Sequence, residues 1–109
     1  MTLCWAEDEA TARKTMHEQW PNIGIAGQLS QDLPTWTHFE EAASMVSEEA
    51  AVKNTPCGPD PEPVSSAVAE FLRAGYDHVY LHQVGPDQEG FFGFWERELK
   101  PRVAELARR

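Results

Sequence analysis

The sequence has few cationic residues and no long apolar run. Its 109 residues carry 9 Lys and Arg against 18 Asp and Glu, a formal net charge of −9. A surface this negative repels a phosphate backbone, so nucleic-acid binding is disfavoured. The apolar runs are far shorter than the roughly 20 residues that cross a bilayer, and the acidic N-terminus resembles neither a secretory signal nor a transit peptide. The sequence therefore predicts a protein that binds neither nucleic acid nor membranes.

Cysteine is also scarce, since only Cys4 and Cys57 are present. Two cysteines without C-x-x-C spacing form neither a disulfide framework nor a metal site. His78 and His82 would lie about 13 Å apart on a strand, too far to share one metal ion. We therefore expect no metal, and two free thiols are typical of the reducing cytoplasm.

The sequence also lacks the common catalytic signatures. There is no phosphate-binding P-loop, no dinucleotide-binding glycine motif, no nucleophile elbow and no Cys–His pair at suggestive spacing. Lys53 stands alone in an acidic stretch, where it either contacts an anion or is a solvated surface residue. No residue of this chain is assigned a catalytic role.

The first half of the chain predicts a strand, a helix and a long loop. Residues 2–5 are typical of the end of a strand, and 6–20 have an apolar stripe at helical spacing that ends at Pro21. Residues 21–34 contain two glycines and two prolines without periodicity, which predicts a loop of a length that is often functional.

Two further helix starts follow that loop. Thr37 and Glu40 have the spacing of a capping box, which predicts that Thr37 begins a helix. Ser47 can cap a second short helix, so this segment is either one helix or two.

The second half of the chain has the clearest pattern, namely a helix over 58–75, a strand over 78–84 and a helix over 87–107. Asp60 and Pro61 are typical of a helix start, and Gly75 of a helix end. Asp87 can cap the last helix. Pro101 should kink it, because proline removes a backbone donor and crowds the preceding turn.

This order of elements predicts an α/β fold with parallel strands joined by crossover helices. The 72 residues between the strands are best explained by a crossover helix preceded by an inserted segment, 6–57. On the second strand, alternation places His78, Tyr80 and His82 on one face and Val79 and Leu81 on the other. His82, near the strand's end, either donates a hydrogen bond to a ligand or is a packed histidine.

Several segments together carry a family resemblance, in the order HEQWPN, QLSQDLPT, SEEA, CGPDPEP, AGYDHVYLH and GPDQEGFF. With these segments, the chain resembles the C-terminal end of the luciferase-like, deazaflavin-dependent oxidoreductases. Within this class, the chain resembles a group related to the deazaflavin-dependent glucose 6-phosphate dehydrogenases of actinobacteria. The resemblance covers essentially the whole chain.

The resemblance implies a C-terminal fragment of a TIM (β/α)8 barrel, helix-rich with two short parallel strands. Family members are about three times this length. The implied elements are strand seven at 2–5, an insertion at 6–57, helix seven at 58–75, strand eight at 78–84 and helix eight at 87–107.

The resemblance also implies site residues. In the sugar-phosphate enzymes the insertion carries two basic residues that hold the substrate phosphate, and the matching positions here are Leu29 and Lys53. Lys53 keeps the charge and Leu29 does not. His82 completes the predicted substrate-binding set. The family's catalytic pair and nearly all its coenzyme contacts lie in strands one to six, which this chain lacks.

The expected function is therefore that of the C-terminal portion of an oxidoreductase that uses the deazaflavin coenzyme F-420 for hydride transfer. The chain would form part of the wall of the substrate pocket. On its own it would be inactive and would bind no coenzyme. Its expected partner is the missing N-terminal barrel portion, or a further copy of itself. Two alternatives stay open, namely a stand-alone acidic protein-interaction module and an inert truncated remnant.

Overall fold

In a computed structural model that describes residues 1–25 and 29–108, the chain is helix-rich with two short parallel strands, as expected. The elements are β1 (Thr2–Leu3), α1 (Glu9–Gln19), a 3-10 helix (Pro21–Gly24), α2 (Leu29–Asp32), α3 (Trp36–Ser44), α4 (Glu48–Val52), α5 (Pro61–Arg73), β2 (His82–Gln83), α6 (Gln88–Phe94), a π-helical turn (Trp95–Leu99) and α7 (Lys100–Ala107). No helix within the described ranges combines the length and apolar character needed to span a bilayer.

Three of the predicted helix caps form as expected. Ser47, Asp60 and Asp87 accept hydrogen bonds from the backbone N–H groups of residues 50, 62 and 90, at 3.1, 2.9 and 2.8 Å. Each cap satisfies a donor that has no partner within its helix. Gly75 adopts a φ of +96°, the left-handed conformation that ends α5.

The predicted cap of α3 is wrong by two residues. Thr35, not Thr37, accepts the backbone N–H of His38, at 3.3 Å. Thr35 has the extended backbone required of an N-cap, whereas Thr37 already lies in the first turn of the helix. The long loop predicted over 21–34 is also corrected, because it contains the 3-10 helix and α2; residues 26–28 lie outside the described part.

The strands are shorter than the predicted 2–5 and 78–84. Thr2 pairs with His82 and Leu3 with Gln83, in parallel. The ladder ends at Met1, whose carbonyl accepts from the His82 backbone N–H at 2.8 Å. Among the residues that the structure describes, no strand pairs with residues 78 and 79, and β2 is limited to His82–Gln83.

The two faces of the sheet pack against different helices. Leu3 belongs to a buried cluster with Val64 of α5 and residues of α6 and the π turn, and Leu81 packs against it. On the other face, Cys4 is buried with α1 and α4 residues, among them Met16. Leu81 thus lies on the face covered by α5 and α6, the face that the predicted alternation assigns to the crossover helices.

A π-helical turn precedes Pro101, the residue at which the sequence predicts a kink. The backbone N–H of Lys100 bonds to the carbonyl of Trp95, five residues back. Proline has no N–H to donate and crowds the carbonyl four residues earlier, so a widened turn accommodates it.

Candidate functional site

An exposed imidazole and two exposed aromatic rings lie on and beside β2. His82 is exposed on β2, and the Trp20 ring at the end of α1 meets it edge-on at a centroid distance of 5.0 Å. Tyr80, two residues before His82, is 82% exposed. This surface can offer a hydrogen-bonding ring nitrogen beside an apolar ring, which suits a polar organic ligand.

A groove of about 700 Å³ lies between the end of α4 and α5. Lys53 follows α4 directly and lines this groove with Thr55, Phe71 and Tyr76. The ion pairs found among the described side chains do not include Lys53. Its ammonium group is therefore available to an external anion, with Glu70 as an acidic neighbour in the same groove.

Of the predicted substrate-binding residues, the structure describes the side chains of Lys53 and His82 and does not place these two in one groove. Lys53 lines the groove, and so does Thr2, the register partner of His82, but His82 itself does not. Leu29 begins α2, and its side chain lies outside the described part. The assignment of these three positions to a substrate pocket stays a prediction.

At the carboxyl ends of the strands, Gln83 forms a clamp that the sequence reasoning missed. Its side-chain oxygen accepts from the Trp5 backbone N–H at 2.8 Å, and its side-chain nitrogen donates to the Trp5 carbonyl at 3.1 Å. Gln83 is buried on the face that Leu81 shares. The sequence did contain a signal for this contact. Alternation along the strand places Gln83 on the same face as Leu81, and a polar residue on that core face needs a hydrogen-bonding partner.

Two glycines make room for this clamp. A Cβ atom on Gly85 would lie 2.9 Å from the Gln83 side-chain nitrogen and 3.0 Å from the Trp5 carbonyl oxygen. A Cβ atom on Gly90 would overlap the Trp5 indole ring. The conformation of the strand ends therefore depends on glycine at both positions.

The cavity beside Trp5 is acidic. It has a volume of about 530 Å³ and is bordered by Glu7, Asp87 and Glu89, with Arg97 as its cation. Its net negative charge disfavours a phosphorylated ligand. Within the residues that the structure describes, no group of three potential ligands is arranged to hold a metal ion.

The two thiols are not activated. Burial, with a smaller contribution from Cys4, raises the pKa of Cys57 to about 11, and burial also raises the pKa of Cys4. At neutral pH both are thiols rather than thiolates, so neither is poised as a nucleophile.

Comparison with known proteins gives a consistent group of relatives, although no family model matches the chain. The chain is similar to F420-dependent glucose-6-phosphate dehydrogenases. It is 27% identical over 88 residues to that of Rhodococcus hoagii and 25% identical over 88 residues to that of Mycolicibacterium smegmatis. With the Segniliparus rotundus protein it shares 28% identity over 87 residues.

The coverage of these alignments is asymmetric. They include 80–81% of this chain but only 26% of each relative. The chain therefore spans about a quarter of the length of the curated relatives it matches. The group that the sequence resemblance named is supported, and the match is to one part of such an enzyme.

Proposed function

We propose that the chain is the C-terminal portion of a luciferase-like, deazaflavin-dependent oxidoreductase of the cytoplasm. The complete enzyme would transfer a hydride between a substrate and the coenzyme. The observation that carries the proposal is the match of four fifths of this chain to a quarter of relatives that share one enzyme name.

The proposed scaffold is a TIM barrel in which β1 is strand seven, β2 is strand eight, and α5 and α6–α7 are the outer helices. The support is the parallel pairing of β1 with β2 and the packing of both helical segments on one face of the sheet. Neighbouring barrel strands with their covering helices have this arrangement. The segment 6–57 is then the insertion after strand seven.

We assign the chain a share of the substrate-pocket wall. Lys53 would contact an anionic group, and the exposed His82 ring would donate a hydrogen bond to the substrate or accept one from it. Leu29 is uncharged, so it cannot supply a second cationic contact to an anionic substrate. We therefore propose that the substrate is anionic. Its anionic group would be held by one basic residue, whereas the sugar-phosphate enzymes that the chain resembles are expected to hold the substrate phosphate with two.

The described residues do not fit the coenzyme itself. A deazaflavin coenzyme has a flat ring and an anionic tail, and it needs a slot with several cationic or N–H donors. The groove beside Lys53 has one lysine and one carboxylate, and the cavity beside Trp5 is bordered by three carboxylates. We therefore assign the coenzyme contacts to the rest of the complete enzyme.

Complementation tests the proposal. The DNA upstream of this coding sequence is expected to encode the six missing strands. Coenzyme binding, followed by fluorescence titration, and hydride transfer should appear when both products are co-expressed and be absent from either alone. A dissociation constant in the low micromolar range for this chain alone would contradict the proposal.

Lys53→Ala is expected to raise the KM of the assembled enzyme for an anionic substrate by roughly 10- to 100-fold. The loss of a charge-assisted hydrogen bond is worth about 1.5–3 kcal/mol. Lys53→Arg should retain most of the affinity. Lys14→Ala is the matched control, because Lys14 is an exposed lysine on α1 that pairs with Glu18. Unchanged KM values for every anionic substrate would make Lys53 a solvated surface residue.

A stand-alone interaction module is the second candidate. The observation that favours it is the exposure of large apolar side chains on and beside α3, with Trp36 at 76% and Met45 at 87%. Such side chains can mark a protein-binding surface. This candidate requires that the 109 residues fold cooperatively without a partner.

A further inference from the structure

The only two cysteines of the chain lie directly opposite each other in the fold. The backbone N–H of Cys4 donates to the carbonyl of Pro56, and the N–H of Gly58 donates to the carbonyl of Cys4, both at 2.9 Å. These two bonds flank Cys57 and make it the parallel bridge partner of Cys4. Although 52 residues separate the cysteines in sequence, the inserted segment returns to the first strand at this point.

The bridge brings the two side chains to the same side. Directly paired residues of parallel strands project to one face, and neighbouring strands are about 4.8 Å apart. Disulfides span Cα distances of about 4.4–6.8 Å. Consistent with this, Cys57 packs against the buried cluster that contains Cys4 and Met16.

The neighbouring backbone allows the small adjustment that a covalent link needs. Gly58, next to Cys57, has a φ of +112°, and a glycine adapts its conformation more readily than other residues. Cys57 is partly exposed, whereas Cys4 is 1% exposed. A reagent in solution therefore reaches Cys57 first, and Cys4 is placed behind it.

We propose that Cys4 and Cys57 are a disulfide-forming pair, which links the first strand to the end of the inserted segment when the chain meets a small-molecule disulfide. The sulfur of Cys57, after losing its proton, attacks the reagent's disulfide and releases one thiolate. The sulfur of Cys4 then loses its proton, attacks the Cys57 sulfur and releases the second thiolate. The reagent takes up two electrons, and the chain loses two hydrogen atoms.

The pair is suited to equilibrium cross-linking rather than to rapid sensing. Because its pKa is raised to about 11, the Cys57 thiol reacts slowly at neutral pH and faster as the pH rises. The charged groups around it are Glu9, Arg13 and Glu48. The disulfide would close a long loop of the chain. Because this lowers the conformational entropy of the unfolded chain, it favours the folded state.

A redox titration of the 109-residue chain in glutathione buffers, at dilutions where sedimentation shows a monomer, tests this pairing, which lies within the chain and does not depend on the proposed function. The equilibrium constant for the intramolecular disulfide should be at least about tenfold larger in native buffer than in concentrated guanidinium, since folding holds the thiols together. The intramolecular disulfide is detected when alkylation no longer labels either cysteine and the molecular size is still that of a single chain.

Peptide mapping identifies the link without any substitution. Trypsin cleaves after Arg13 and Lys53, so the oxidised chain should give residues 1–13 joined to residues 54–73. Cys57→Ser, a change at the partly exposed position, should leave Cys4 unmodified in native buffer. Equal constants in the two buffers, intermolecular dimers, or stable glutathione adducts without the joined peptides would each overturn the proposal.

Discussion

The isolated 109-residue chain is expected to unfold over a broad temperature range and to self-associate. Among the described residues, β2 pairs with β1 and with no other strand, so its second edge presents unpaired backbone groups. An unpaired edge promotes association between copies, and a two-stranded sheet is marginally stable without further packing. The net charge of −9 opposes aggregation but adds nothing to the core.

The dimensions of the fold support this expectation. The radius of gyration is 15.2 Å, whereas a compact domain of this length has about 13 Å. The accessible surface of 7373 Å² exceeds the roughly 6,100 Å² of a compact monomer of this mass. The principal-axis extents of 45, 31 and 20 Å describe a flattened shape rather than a sphere.

Two measurements test this prediction. Analytical ultracentrifugation reports the association state, and thermal melts followed by near- and far-ultraviolet circular dichroism report the unfolding transition. We expect a loosely packed monomer or a self-associating species, with non-coincident transitions. The co-expressed complex with the upstream barrel portion is the control and should melt sharply. A strict monomer with one sharp, coincident transition would show a complete domain and would favour the interaction-module candidate.

The local signals in the sequence predicted the helices well. Asp60, Asp87 and Ser47 act as caps because each needs only its own side chain and the next turn of backbone. Thr35 and Thr37 offered two competing caps for α3. The choice depended on which threonine was held in an extended conformation, which spacing alone does not specify.

Non-local contacts were less predictable. The length of β2 depends on where its partner β1 begins, and the bridge between Cys4 and Cys57 joins residues that are far apart in sequence. For the candidate site, the sequence predicted that His82 lies on the face opposite Leu81. It could not place Lys53 in a groove with Phe71 and Tyr76, because those neighbours come from another helix and its end.

Gln83→Leu is expected to lower the protection of the Trp5 amide against hydrogen exchange by roughly 10- to 100-fold. The substitution keeps the side chain's size but leaves the buried Trp5 N–H and carbonyl without their partners. Each unsatisfied buried group costs about 1–3 kcal/mol. Exchange at one amide is the appropriate measurement, because a single free energy of unfolding is not defined for a chain that melts without cooperativity.

Two further variants separate the clamp from general packing. Gln19→Leu, at the exposed end of α1, should leave Trp5 protection unchanged. Gln83→Glu keeps the oxygen that accepts the Trp5 N–H but lacks the donor to the Trp5 carbonyl while it is ionised. Burial raises the pKa of such a carboxyl group, and its protonated form regains an O–H donor. Trp5 protection in Gln83→Glu should therefore increase as the pH falls through that pKa, after correction for the intrinsic exchange rate. Protection that is the same in Gln83→Leu and in the unsubstituted chain would mean that the β1 terminus is held by packing of the Trp5 ring rather than by Gln83.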